Sequence, residues 1–203
     1  MGGDKDKDSR GNGCLRMDVF EGRISSTGFS SGDRIVIGDW RKSRLGSFTN
    51  VMWAKPDGTR ILLSPSEEHA HYVSELYNFE EVEVVEIEVI RGNRGVSVEA
   101  GELSVQISWG ASFPLPFWRP LWFTATIESF FGKLLFGTKT AGETKNGRRE
   151  WYSVRGISRV IEANAWVNGS PMGSKGAFLT DACFGFSEPP KSPSSVLLKA
   201  IIE

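Results

Sequence analysis

The chain of 203 residues is 39% hydrophobic and 24% charged, enough apolar material for one sizeable core. Its 24 basic residues nearly balance 25 acidic ones, with a pI near 6.2, so no global field draws nucleic acid or an anionic membrane. Two cysteines, Cys14 and Cys183, make neither a disulfide framework nor a zinc-ligand spacing, which points to a reducing, cytoplasmic setting.

In chain order, residues 1–16 mix charge with glycine and lack the apolar core of a secretory signal. They read as a disordered extension, with one β-rich domain over 17–203. Strands follow at 17–24, 33–40, 47–54 and 59–63, and "KPDGT" between the last two marks a type I turn with a following bulge. "WRKSR" at 40–44 mixes an aromatic with basic residues, as single-stranded nucleic-acid sites do, but five residues in a chain of this charge read as a solvated loop.

One helix is expected in "SPSEEHAHYVSELYNF". Ser64 is its N-cap, Pro65 its first residue and Glu67 its third, which together make a capping box, and Ala70, Val73, Leu76 and Tyr77 form the apolar stripe. His69 and His71 lie two apart, about 200° around a helix, so they cannot chelate one ion together. His69 borders the stripe in a structural position and His71 faces solvent.

"VEVVEIEVI" then changes its alternation between Val84 and Val85, as a β-bulge would. The turn "RGNRG" leads into "VSVEA" as a hairpin. "ELSVQISW" is the clearest strand, with Leu103, Val105, Ile107 and Trp109 on one parity and polar residues on the other.

"FPLPFWRPLWF" at 113–123 holds five aromatics, three prolines and one charge. As a core corner it plugs one end of a barrel. As a cavity lid, rigid backbone holds Phe117, Trp118 and Trp122 over an apolar pocket with Arg119 as its polar group. Homodimerisation through the same patch is a further option, whereas its broken apolar run excludes a membrane span.

Further strands are expected at 121–128, 131–139, 150–167 and 178–186, with a turn at "KNGR". In "RREWYSVRGISR" Arg149, Trp151, Arg155 and Arg159 share one parity of an extended strand. That face suits a carboxylate or phosphate, unless the acidic stripe of Glu81, Glu83, Glu86 and Glu88 pairs with it across strands.

The elements sum to an all-β, mainly antiparallel barrel or sandwich with one packed amphipathic helix, and a calycin or lipocalin-like barrel is one form of it. "GDW" at 38–40 matches the short lipocalin Gly-x-Trp signature. With seven tryptophans and 23 glycines such matches arise by chance, and this one follows a strand, so the analogy rests on strand count alone. "MDVFEGRISSTGFSSGDRIVIGDW", "LGSFTNVMWAKPDGTRILLSP" and "GRREWYSVRGISRV" resemble a group of uncharacterised actinobacterial proteins. That resemblance implies no activity or ligand.

No HExxH, CxxC, P-loop, dinucleotide fingerprint or G-x-S-x-G elbow occurs, so no metal, cofactor or catalytic residue is assigned. The leading expectation is a non-catalytic domain that binds an apolar, acidic small molecule in a barrel-like cavity, through Phe117, Trp118, Arg119, Trp122, Arg149, Trp151 and Arg155. An enzyme on a similar compound, with Tyr152 or His69 in proton transfer, is the alternative. A third is a structural or protein-interaction module with a filled core.

Overall fold

The computed structural model describes residues 17–114, 141–178, 182–185 and 188–203. Its strands are β1 (Asp18–Phe29), β2 (Arg34–Lys42), β3 (Phe48–Ala54), β4 (Arg60–Ser64), β5 (Glu81–Val84), β6 (Ile87–Gly92), β7 (Gly95–Ala100) and β8 (Leu103–Trp109). They continue with β9 (Phe113–Pro114), β10 (Ala141–Glu143), β11 (Arg149–Val167), β12 (Ser170–Pro171), β13 (Lys175–Gly176) and β14 (Ser194–Ile202). Helix α1 (Glu67–Leu76) follows β4.

The main sheet runs β5-β4-β3-β2-β1-β14-β11-β8-β7-β6. All pairs along it are antiparallel except β4 with β5. β14 inserts between β1 and β11, so strands far apart in sequence meet at the centre. Ile35, Ile37, Val51, Trp53 and Leu63 from one half share a core with Val98, Val105, Ile107 and Ala163 from the other. Two halves of one sheet can share a core only if the sheet curls, and the result is an all-β half-barrel with a concave and a convex face.

The convex face carries α1. Tyr72, Val73 and Leu76 pack there on Phe20, Phe48, Leu62, Leu198 and Ile202. Strands β2 to β4 are thus covered on both sides, which is why "RIVIGD" is buried throughout instead of alternating. β8 alternates cleanly, with Leu103, Val105, Ile107 and Trp109 buried. Among the described residues no helix is long and apolar enough to cross a membrane.

The hairpin turns follow the sequence expectation. In "KPDGT" the Gly58 amide donates to the Lys55 carbonyl at 3.0 Å and Gly58 takes φ 91°, a conformation that favours glycine. β6 and β7 pair through Gly92 and Gly95, and "KNGR" joins β10 to β11.

Four expectations are corrected. Helix α1 is capped by Ser66, not Ser64: the Ser66 carbonyl accepts from Ala70 at 2.9 Å, whereas Ser64 ends β4 and its carbonyl is taken by the Val85 amide at 3.0 Å. Ser66 Oγ also accepts from the His69 amide at 3.4 Å, so Ser66→Ala should lower stability by about 1 kcal/mol in a denaturant titration. The change of phase after Val84 is a strand break, not a bulge, because β5 joins β4 while β6 joins β7 at the far end of the sheet. The described residues of 178–186 form no strand, and β14 supplies the apolar strand instead.

The fourth correction concerns the arginine stripe. β11 is bulged between Val154 and Gly156, so Val154 and Ile157 both pack on the helix side while Val160 enters the concave core. Alternation inverts there, and Arg159 cannot share a face with Arg149 and Trp151. The acidic stripe does not pair with β11 either, since β5 and β6 lie at the two ends of the sheet. The expected extension 1–16 and strands 121–128 and 131–139 lie outside the described residues.

Candidate functional site

On the concave face the apolar core gives way toward one end of the half-barrel to a cleft of about 380 Å³. β2 makes the change: Ile35 and Ile37 fill the core, and two and four residues on, at the same parity, come Asp39 and Arg41. Val96, Trp109 and Leu197 supply apolar wall. Arg23, Arg41, Arg91 and Arg155 set four guanidinium groups against the carboxylates of Asp39 and Glu21.

Asp39 organises the cleft. Arg91, from the opposite half of the sheet, donates Nη2 to Asp39 Oδ1 at 2.7 Å and Nε to both carboxylate oxygens at 3.1 Å. Thr49 donates to Oδ1 at 3.2 Å, and Arg41 lies 3.4 Å from Oδ2. Burial alone would raise the Asp39 pKa, but the bonds and charges of Arg91, with Arg41 and Thr49, hold it below the usual carboxylate range. The Arg91 pKa is raised, chiefly by the same hydrogen bonds.

Arg23 differs. Its guanidinium lies over the Trp109 ring, 4.7 Å from the centroid. Nη1 donates to Ser195 Oγ at 3.1 Å, and that hydroxyl also meets Ser25 Oγ at 2.7 Å. No carboxylate among the described residues lies within ion-pair distance of it. Burial pushes its pKa down, with Asp39 acting in the opposite direction. Arg155, at the β11 bulge, reaches Glu21 only at 3.5 Å.

Of the residues expected from sequence, Arg155 lines this cleft. Arg149 is exposed and Trp151 half-buried on the same strand, and neither borders the cleft. Phe117, Trp118, Arg119 and Trp122 lie outside the described residues. The residues missed were Arg23, Asp39, Arg91 and Trp109. Their one local signal is a pair of charges, Asp39 and Arg41, continuing the parity of a buried apolar strand.

The convex face carries a separate acidic cluster. Glu150 is buried under α1, and the Tyr77 hydroxyl lies 3.0 and 3.1 Å from its two oxygens and 2.6 Å from the Tyr152 hydroxyl. Burial pushes the Glu150 pKa up to about 7 against the opposing hydrogen bonds of both tyrosines. Burial likewise raises both phenols well above their ordinary range.

His69 serves the helix. Its Nδ1 lies 2.6 Å from Ser66 Oγ, and its ring lies tilted against Phe48 with centroids 4.3 Å apart. Burial and Glu188 raise the Cys183 thiol, the reverse of what an activated nucleophile needs. Among the described residues no three acidic, histidine or cysteine side chains gather as a metal site.

No family model and no curated protein matches the chain. Similar solved structures include the acetoacetate decarboxylase of Legionella pneumophila subsp. pneumophila str. Philadelphia 1, at 8% identity and TM-score 0.40, over 92% of this chain and 82% of that one. A second acetoacetate decarboxylase structure stands at 12% identity and TM-score 0.40, over 92% and 84% of the two chains. Neither likeness is close enough to carry a residue role or an activity across.

Proposed function

We propose that the protein binds a small organic carboxylate in the cleft of the half-barrel. The observation that carries this reading is Arg23: a partly buried guanidinium stacked on Trp109, bonded to a hydroxyl and free of any carboxylate partner among the described residues. A ligand carboxylate would supply the counterion that Arg23 lacks among the described residues, by a charge-assisted hydrogen bond. Arg155, weakly tied to Glu21, is placed to join it. Trp109, Val96 and Leu197 would receive the apolar body, while Asp39, already engaged by Arg91, fixes the wall.

The test compares 3-phenylpropanoate with 3-phenylpropanol by calorimetry and tryptophan fluorescence. The acid should bind more tightly than the alcohol. Arg23→Met, which keeps an apolar stem over Trp109, should weaken the acid by roughly tenfold to a hundredfold and leave the alcohol nearly unchanged. Arg155→Ala should act in the same direction but less. Equal binding of acid and alcohol to the wild type, or an Arg23→Met variant that keeps the preference, would overturn this reading.

A further inference from the structure

Beneath α1, on the face opposite the cleft, lies a partly open apolar cavity of about 60 Å³. Its walls include Phe20, Phe48 and Met52, and its polar lining includes Asn50 and the Glu150 cluster. Asn50 is 1% exposed. Trp40 Nε1 donates to its Oδ1 at 3.2 Å, and because an indole N–H can only donate, this bond fixes which end of the amide is oxygen. The other end, Nδ2, is buried and has no hydrogen-bond partner among the described residues.

The sheet is shaped to keep this arrangement. A Cβ at Gly38 would lie 2.7 Å from Asn50 Oδ1 and 2.9 Å from Trp40 Nε1, so only glycine lets the indole lie across β2 and reach the amide. The remaining polar groups of the lining are occupied. Tyr77, Tyr152 and Glu150 bond one another, Tyr72 donates to Asp18 at 2.9 Å, and Glu188 is paired with Arg34. Among the described residues, the Asn50 Nδ2 group is thus an unmet donor in an otherwise satisfied apolar site, a costly state that an acceptor would relieve.

We infer that this cavity is a second binding site, for a small uncharged molecule that buries an apolar body and presents an ether, ester or amide oxygen to Asn50 Nδ2. A carboxylate is the wrong ligand here, because the described lining holds the carboxyl groups of Glu150 and Glu188 and no basic residue. The site is independent of the arginine cleft and selects the opposite charge type.

The experiment titrates the whole protein with tetrahydrofuran and with cyclopentane, rings of equal size that differ by one acceptor oxygen. It follows the Asn50 side-chain amide and the Trp40 indole resonances by NMR. Tetrahydrofuran should shift both saturably and bind about tenfold or more tightly than cyclopentane. Asn50→Leu should abolish that preference, and Arg23→Met should leave it intact. Equal binding of the two rings to the wild type overturns the proposal without need of a variant. So does an ether preference that survives Asn50→Leu, or tetrahydrofuran shifts confined to the Trp109 indole in the cleft.

Discussion

Stability should peak near pH 5 and fall by up to about 3 kcal/mol between pH 5 and 8, and Glu150→Gln should remove that fall. The sign follows from the direction of each shift. Asp18 is a carboxyl whose burial is outweighed by bonds from Arg148 and Tyr72, so its pKa lies below the ordinary value, as does that of Asp39. Both contribute stability that is in place above their unfolded values and lost as the pH drops. Glu150 behaves oppositely. Its pKa rises from 4.5 to about 7 on folding, so from pH 4.5 upward the unfolded chain gives up its proton while the native state still holds it. The native state therefore weakens until pH 7, where the effect levels off. Urea titrations of wild type and Glu150→Gln at pH 5 and 8 measure the difference of differences, and parallel curves would remove Glu150 as the cause.

Arg34→Ala should cost about 2–3 kcal/mol, below the full scale for breaking a buried pair, because the Glu188 carboxylate left behind keeps 26% of its side chain exposed. The Arg34 side chain is 3% exposed and paired with Glu188. Its Nη1 also donates to the Ala182 carbonyl at 2.9 Å, and its guanidinium lies 4.0 Å from the Phe178 ring centroid. These contacts fasten residues 182–185 and Glu188 to β2, since Glu188 in turn accepts from the Phe184 and Gly185 amides at 2.6 and 3.2 Å. Phe184 and Glu188 border the cavity beneath α1, so the variant should also loosen ligand selection there. The double variant Arg34→Met with Glu188→Gln should recover much of the loss, because no buried charge is then left unpaired. A loss under about 1 kcal/mol for Arg34→Ala would show that the segment is held by its apolar contacts instead.

Local chemistry was readable where a residue's surroundings come from its own neighbours in sequence. β8 alternates because one of its faces is dry, and the hairpin turns announce themselves through glycines such as Gly58 and Gly147 with positive φ. β14 was hidden because Leu197 and Ile201 interrupt the alternation of Val196, Leu198, Ala200 and Ile202. Arg155 reaches the cleft from a bulge that counting by twos along β11 does not show. The cleft as a whole has no local signature, since Arg23, Asp39, Arg91 and Trp109 come from β1, β2, β6 and β8 and meet only when the sheet curls. Asn50 is an ordinary strand residue until Gly38 and Trp40 are placed beside it.

The insertion of β14 between β1 and β11 also sets a timetable. Ser25 and Ser195, whose hydroxyls meet at 2.7 Å, are 170 residues apart. At the usual pace of translation that interval lasts on the order of ten seconds or more, far longer than a β-hairpin needs to form. β1 and β2 can therefore zip together early, while the other edge of β1 waits on the ribosome as an open ladder able to pair with a stranger. Arg23 and Glu21 lie on that waiting strand, and charges on an exposed edge discourage such pairing. The guanidinium that later faces the cleft would first serve to keep a half-made sheet from finding the wrong partner.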